Sequence, residues 1–164
     1  MKIPIRYLPT FLSKKDRKKQ LHMLQKSRKA YRKGTFINRK PISSFHSKKS
    51  NHIQNAIKMY KIKNILPNKK LASVTGCSIP TLKKIVNKGE GAYFSSGSRP
   101  NQTAQSWGLA RLASSVTGGK ASMVDFNLLE NGCKHSGKAY KLAVKTKKKY
   151  GHDRKYWSAK KTKI

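Results

Sequence analysis

Residues 69–89 read KKLASVTGCSIPTLKKIVNKG. Leu71 and Ala72 begin an apolar helix face. Gly76 follows four residues after Ala72, where a tight turn needs the positive φ that glycine takes freely. Ser78 is placed to cap a second helix by accepting a backbone N–H. Leu82, Ile85 and Val86 then recur at the spacing of one buried helical face. The stretch predicts helix, glycine turn and capped helix, the second over roughly 79–88 with Gly89 as its end. Pro80 falls in the first turn of that helix, where a missing N–H is tolerated but φ is rigid.

Ala72, Gly76 and Leu82 form a pattern of small residue, glycine four later and apolar residue six after that. The pattern resembles the helix-turn-helix of phage-repressor-type DNA-binding proteins. The resemblance implies that the second helix lies in a major groove, with Thr81, Lys83, Lys84, Asn87 and Lys88 facing outward. There Lys and Asn address base edges, and Thr a phosphate. The plainer alternative is ordinary α-protein architecture, because many such folds serve as protein-contact modules.

The surrounding chain is extreme in charge. It has 164 residues, with 39 Lys+Arg against five acids, a formal net charge of +34. Apolar residues make up 36%, below the roughly 45–50% of ordinary domains. The core is therefore small, or only part of the chain packs. So much like charge repels itself in a compact state, which points to a polyanionic partner. Nucleic acid is the first candidate and an anionic membrane surface the second. No apolar run approaches the length of a membrane span. The start, MKIPIRYLPTF, breaks the apolar segment that a signal peptide needs. Cys77 and Cys133 are too few for a disulfide framework or a four-ligand zinc site, and read as small buried hydrophobes.

The charge is unevenly spread. Residues 1–70 hold 21 Lys/Arg and one acid, 71–132 six and three, and 133–164 twelve and one. This pattern predicts a basic N-terminal arm with two helices (1–66), a compact helical core domain (67–132), and a basic C-terminal helix and tail (133–164). In the first arm Ser13 caps a helix with Asp16 facing its dipole, Leu21, Leu24 and Tyr31 near one face, and Gly34 as the stop. A second helix over 48–61 carries Ile53, Ala56, Ile57 and Tyr60 at helical spacing. Pro67-Asn68 opens a short helix with Asn68 as cap. Near the C-terminus Ser136 caps a helix with Ala139, Leu142, Ala143 and Tyr150 along it, ended by Gly151, and a frayed tail follows. With no β alternation, the expected class is mainly α: a small helical domain with a helix-turn-helix-like unit, flanked by basic helical or extended arms. The candidate phosphate contacts on the arms are Lys14, Lys15, Arg17, Lys18, Arg28, Lys29, Arg32, Lys147, Lys148 and Lys149.

One window stays quiet. GEGAYFSSGSRPNQTAQSWGLARLASSVTGG, from Gly89 to Gly119, has only Glu90, Arg99 and Arg111 charged. Its first half is turn-rich. Thr103 or Asn101 then caps a helix that buries Leu109, Leu112, Ala113 and Val116, and a short helix near 122–131 completes the core. The loop SSGSRPN, beside Arg99 and a helix start, is a candidate phosphate cradle. Tyr93, Phe94 and Trp107 are candidate base-stacking rings. The alternative is a packed loop whose aromatics fill the core and whose Arg99 pairs with Glu90 or Asp125.

The run GEGAYFSSGSRPNQTAQSWGLARLASSVTGGKASMVDFNLL, preceded by TGCSIPTL, resembles an uncharacterised family of small proteins encoded by giant and other large DNA viruses, with distant bacteriophage relatives. The residues that carry the resemblance are Gly89, Gly91, Ala92, Tyr93, Gly97, Arg99, Pro100, Gln105, Ser106, Trp107, Ala110, Arg111 and Asp125. It covers roughly residues 70–130. It implies a virus-encoded protein and brings no activity with it.

Three functions follow as expectations. The first is a virion-associated nucleic-acid-binding protein, with DNA ahead of RNA. The second is a minor capsid or internal structural protein, whose arms wrap capsid proteins through cations and the interspersed Tyr7, Phe11, Tyr31, Phe36, Phe45, Tyr150, Tyr156 and Trp157. The third, an enzyme, is disfavoured. No Ser/His/acid order, paired carboxylates, phosphate loop or His–metal cluster is visible, though Glu90, Arg99 and Asp125 could handle a phosphate. The expectation is no catalysis, no cofactor, no metal and no membrane span.

Overall fold

The structure, a computed structural model, describes residues 2–163. Among them the chain is mainly α. The elements in order are β1 (Lys2–Pro4), α1 (Lys14–Arg32), α2 (Asn51–Tyr60), α3 (Lys69–Thr75), α4 (Ile79–Ser95), α5 (Ala104–Val116), α6 (Lys120–Val124), α7 (Phe126–Gly132), α8 (Lys138–Tyr150), α9 (Arg154–Trp157) and β2 (Lys161–Lys163).

The chain packs as two units that do not follow the charge boundaries at 66/67 and 132/133. One takes the N-terminal stretch through Lys48, then Glu90–Trp107, then the stretch from Ser158 on; the other takes Lys49–Gly89 and Gly108–Trp157. Packing follows which apolar residues meet, and charge density does not report that.

In the first unit Ser13 caps α1, its Oγ accepting the Asp16 N–H at 3.2 Å. Of the face expected from Leu21, Leu24 and Tyr31, Leu24 is buried and Leu21 packs half-buried beside it, while Tyr31 is exposed. Asp16, Gln20 and Ser27 are buried with Leu24, at spacings that line up along one helical face. Three of these four are polar, and each has partners, as burial requires. The Asp16 carboxylate accepts from the Ser44 N–H at 2.8 Å and from Ser43 Oγ at 3.3 Å. Gln20 Nε2 donates to the Tyr7 carbonyl at 3.0 Å, and Ser27 Oγ donates to Phe94 O at 3.4 Å. Leu24 joins Ile3, Tyr7 and Leu8 in a small core, with Leu21 and Trp107 against it. Gly97, at φ +111°, closes over this core, and a Cβ there would lie 2.8 Å from Leu24 Cδ2. The tail, expected to fray, forms β2, which pairs antiparallel with β1, Ile3 opposite Thr162. A three-residue strand is held by backbone bonds and leaves no alternation to read.

The second unit has the larger core: Ala56, Tyr60, Leu71, Leu82, Ile85, Leu112, Val116, Leu129 and Ala143 are among its buried members. Ser50 caps α2. Asn68 Oδ1 accepts the Leu71 N–H at 3.0 Å and starts α3. Gly76, at φ +80°, ends it. Ser78 Oγ accepts the Thr81 N–H at 3.4 Å at the start of α4.

Four expectations change here. Cys77 and Cys133 are not separate thiols; they are bonded to each other. Around that bond Ser78 N–H donates to Gly132 O, and Lys134 N–H to Gly76 O, each at 2.8 Å. Gly89 does not end α4, which runs on to Ser95. Its missing Cβ admits another chain segment instead, since a Cβ would sit 2.6 Å from Gly108 Cα. The helix expected near 122–131 is two, α6 and α7, joined at Asp125. Gly137, not Ser136, precedes α8, with no side-chain cap.

Candidate nucleic-acid interface

Within the second unit α4 divides into two faces. Leu82, Ile85 and Val86 are buried, while Lys83, Lys84 and Asn87 are exposed. Those three outward positions stand where the sequence puts them. Thr81 does not. It is 7% exposed, its Oγ1 accepts from Ser78 Oγ at 2.9 Å, and it lies over Gly132, where a Cβ would come within 1.7 Å of that oxygen. Thr81 is a packing residue, because the first turn of α4 faces α7.

Lys88 is 47% exposed along its side chain, but its Nζ lies 3.0 Å from Asp125 Oδ1. Asp125 is 1% exposed and is the hub of a polar network. Arg111 donates to it twice, Nε to Oδ2 at 2.9 Å and Nη2 to Oδ1 at 2.8 Å. Ser115 Oγ, one turn further along α5, donates to Oδ2 at 2.9 Å. Burial pushes the Asp125 carboxyl up, but Arg111, Lys88 and Ser115 outweigh it and hold the group below the usual carboxylate range. The network ties α4 and α5 to the α6–α7 junction and uses up the best-placed acid of the core. Asp125 therefore pairs with Arg111 and Lys88, not with Arg99. The sequence signal was Arg111 and Ser115 at i, i+4, with Arg111 the one charged residue of α5.

The arm cations sort into two kinds. Lys14, Lys15, Lys18, Lys29 and Arg32 on α1 are exposed. Arg17 is not a free phosphate contact: its Nη1 donates to Leu8 O at 3.4 Å and Pro9 O at 3.3 Å, and its Nη2 to Thr162 Oγ1 at 3.3 Å. Arg28 likewise holds the Ser96 carbonyl through Nε at 3.0 Å. Both are half-buried, and their guanidinium forks donate to backbone carbonyls. On α8, Lys147 lies over the Phe126 ring at 3.9 Å but stays exposed, as do Lys148 and Lys149. Lys141, Lys145 and Lys148 are exposed at helical spacing, opposite the buried Ala139, Ala143 and Thr146.

In the SSGSRPN loop Ser98 and Asn101 turn inward, while Ser95 and Ser96 are exposed. Ser98 Oγ donates to Arg99 O at 2.8 Å and accepts from Arg39 Nη2 at 2.8 Å. The Asn101 side chain accepts the Ile42 N–H at 2.8 Å and donates to Ile42 O and Phe45 O. Arg99 is exposed. Of the three rings read as base stackers, Tyr93 is 1% exposed and Trp107 packs edge-on against Tyr7 at 5.8 Å. Phe94 and Trp107 are both half-buried. Tyr7 belongs to the core rather than to a wrapping surface, Tyr150 and Tyr156 stack on each other at 4.1 Å, and the Trp157 side chain lies outside the described residues.

Arg39 escaped the sequence reading. Its guanidinium sits 3.7 Å over the Tyr93 ring and donates to Ser27 Oγ, Tyr93 O and Ser98 Oγ. Burial pulls its pKa below the ordinary arginine value. Nothing local in a basic loop distinguishes such an arginine from a solvated one.

The region that positions these residues is also the region that defines kinship. A family model, described as a family of unknown function, matches residues 4–131. The chain belongs to that family, DUF5824. The DUF5824 span includes Arg39, the outward face of α4 and the Arg111–Asp125 pair, and stops before Cys133 and α8. No curated protein and no solved structure matches the chain. Among the described residues no helix is long and apolar enough to cross a membrane, and no group of three or more His, Cys, Asp or Glu is placed to hold a metal ion.

Proposed function

We propose that the protein is a virus-encoded, virion-associated nucleic-acid-binding protein that neutralises genome phosphates, DNA in preference to RNA. The carrying observation is its charge balance. Five acids cannot neutralise 39 cations, and one of those acids, Asp125, is buried between Arg111 and Lys88. The excess must be met from outside the chain. Lys83, Lys84 and Asn87 on α4 are the candidate groove-facing groups of a helix-turn-helix unit formed by α3 and α4. The exposed lysines of α1 and α8 supply sequence-independent phosphate contacts. The viral assignment rests on the sequence resemblance, and residence in the particle and, during infection, in the host nucleus or cytoplasm is part of the same proposal. No catalytic role is proposed, since Asp125 is committed to Arg111 and Lys88.

A second reading is an internal structural protein that docks on capsid subunits. It is favoured by Phe11, 72% exposed and stacked on Phe45 at 6.0 Å, an apolar spot suited to protein contact. Fluorescence anisotropy of a labelled duplex tests the first reading. The expected Kd at near-physiological salt is within or below the roughly 10⁻⁴–10⁻⁶ M range of non-specific DNA binding, weakened in K83E/K84E. No binding in that range, with purified shell protein captured instead, would favour the second.

A further inference from the structure

Phe36 is 65% exposed, yet the loop that carries it is fixed on both flanks. Before it, α1 closes with Gly34 at φ +75°, its N–H donating to Tyr31 O at 3.0 Å, while Thr35 N–H returns to Ala30 O at 3.0 Å. After it, Arg39 N–H donates to Tyr93 Oη at 3.0 Å, and Arg39 Nη1 to Tyr93 O at 2.9 Å. The Phe36 ring stands edge-on to Tyr31 at 5.9 Å and 70°, and to Phe94 at 5.2 Å and 69°. Phe94 in turn stands edge-on to Tyr93 at 5.0 Å. A ring is thus held toward water by a loop built to hold it, which leaves little conformational entropy to lose on binding.

The loop that carries the ring is cationic. Arg32, Lys33 and Lys40 flank the ring in sequence and are exposed, and no acid occurs between Asp16 and Glu90. We propose that Phe36, buttressed by Tyr31 and Phe94, is a stacking platform for an unpaired base of a single-stranded nucleic acid, with Arg32, Lys33 and Lys40 taking the adjoining phosphates. The inference rests on the nucleic-acid reading above and deepens it by naming single strands as a ligand. A base fits because it offers a π face to the ring and a phosphate to each neighbouring cation. A bilayer fits less well. Docking on lipid needs a broad apolar face, and between Arg32 and Lys40 the residues around the ring include Gly34, Thr35 and Asn38, with Ile37 only half exposed.

The test compares two strands of equal length and charge: an oligothymidylate, and an abasic strand with the same phosphates and no bases. The wild-type protein is expected to prefer the thymidylate. F36A should lose about 5- to 150-fold toward it, the range of one base–aromatic stack, and change little toward the abasic strand. F36L should behave like F36A, and F36Y should retain binding, which separates stacking from loss of an apolar side chain. F36A binding thymidylate as the wild type does would overturn the platform while leaving phosphate binding intact. If the wild type bound neither strand, the nucleic-acid reading itself would fall. A wild type indifferent to bases, with F36A released from phosphatidylserine vesicles, would assign the ring to a membrane and overturn the proposal.

Discussion

Arg111 grips Asp125 through two parallel hydrogen bonds, at 2.9 and 2.8 Å, where the carboxylate is all but sealed from water. In so basic a chain this is the acid whose position matters most, because α4, α5 and the α6–α7 junction converge on it. Truncating Arg111 removes two charge-assisted hydrogen bonds and leaves the buried carboxylate with Lys88 and Ser115 alone. R111A is expected to lose about 1.5–3 kcal/mol of stability, measured by urea denaturation. A loss near zero would mean the pair is solvated and structurally idle.

The same pair sets an acid limb. The Asp125 carboxyl is held below its unfolded value, so its contribution is fully present above about pH 4 and is lost as pH falls through the folded value. Asp16 is also held low, chiefly by the Ser44 N–H, and acts with the same sign. Stability measured across the acid range should therefore fall on acidification. D125N should fall less steeply and keep only the part due to the remaining acids. An unchanged acid slope would remove Asp125 from the account.

Two glycines on one helix should respond oppositely to alanine. A Cβ at Gly89 would meet Gly108 Cα at 2.6 Å, whereas at Gly91 the nearest group is Tyr31 Oη at 3.9 Å. G89A is expected to cost about 1–3 kcal/mol through forced separation of backbones. G91A should add about 0.4–1 kcal/mol by reducing unfolded-chain entropy. Thermal melts of both variants check the signs, and two shifts in the same direction would contradict the contact at Gly89.

Reduction should weaken the second unit. The Cys77–Cys133 bond spans a separation of 56 residues, which on loop-entropy grounds corresponds to about 4 kcal/mol. Urea midpoints with and without reductant should differ in the wild type and coincide in C77A/C133A. Equal midpoints in the wild type would mean the bond adds nothing.

What was legible in the sequence was local. Ser13, Asn68, Gly76 and Ser78 act within four residues of themselves, and each starts or stops a helix as its chemistry requires. Thr103 also caps as expected, exchanging hydrogen bonds with Ser106. The buried face of α4 was legible because Leu82, Ile85 and Val86 repeat at helical spacing. What escaped depended on distant partners. Asp16, Gln20 and Ser27 form a buried stripe only because Ser43, Ser44, the Tyr7 carbonyl and Phe94 O come to meet them. Gly89 reads as a stop until Gly108 is seen against it. Thr81 reads as outward until Gly132 lies beneath it. Arg17 and Arg28 look like phosphate contacts, since a cation that binds a carbonyl and one that awaits a phosphate are spelled alike.

The central claim is that the exposed cations, with Lys83 and Lys84 among them, exist to meet phosphates. Its most direct test is the salt dependence of DNA binding, taken as log K against log salt for the wild type and K83A/K84A. If six to ten phosphates are neutralised, wild-type affinity falls about 10³–10⁵-fold between roughly 50 and 200 mM salt, and the double variant has a slope shallower by about 2. A flat response in the wild type would contradict the account, and an unchanged slope in the variant would take α4 out of the interface.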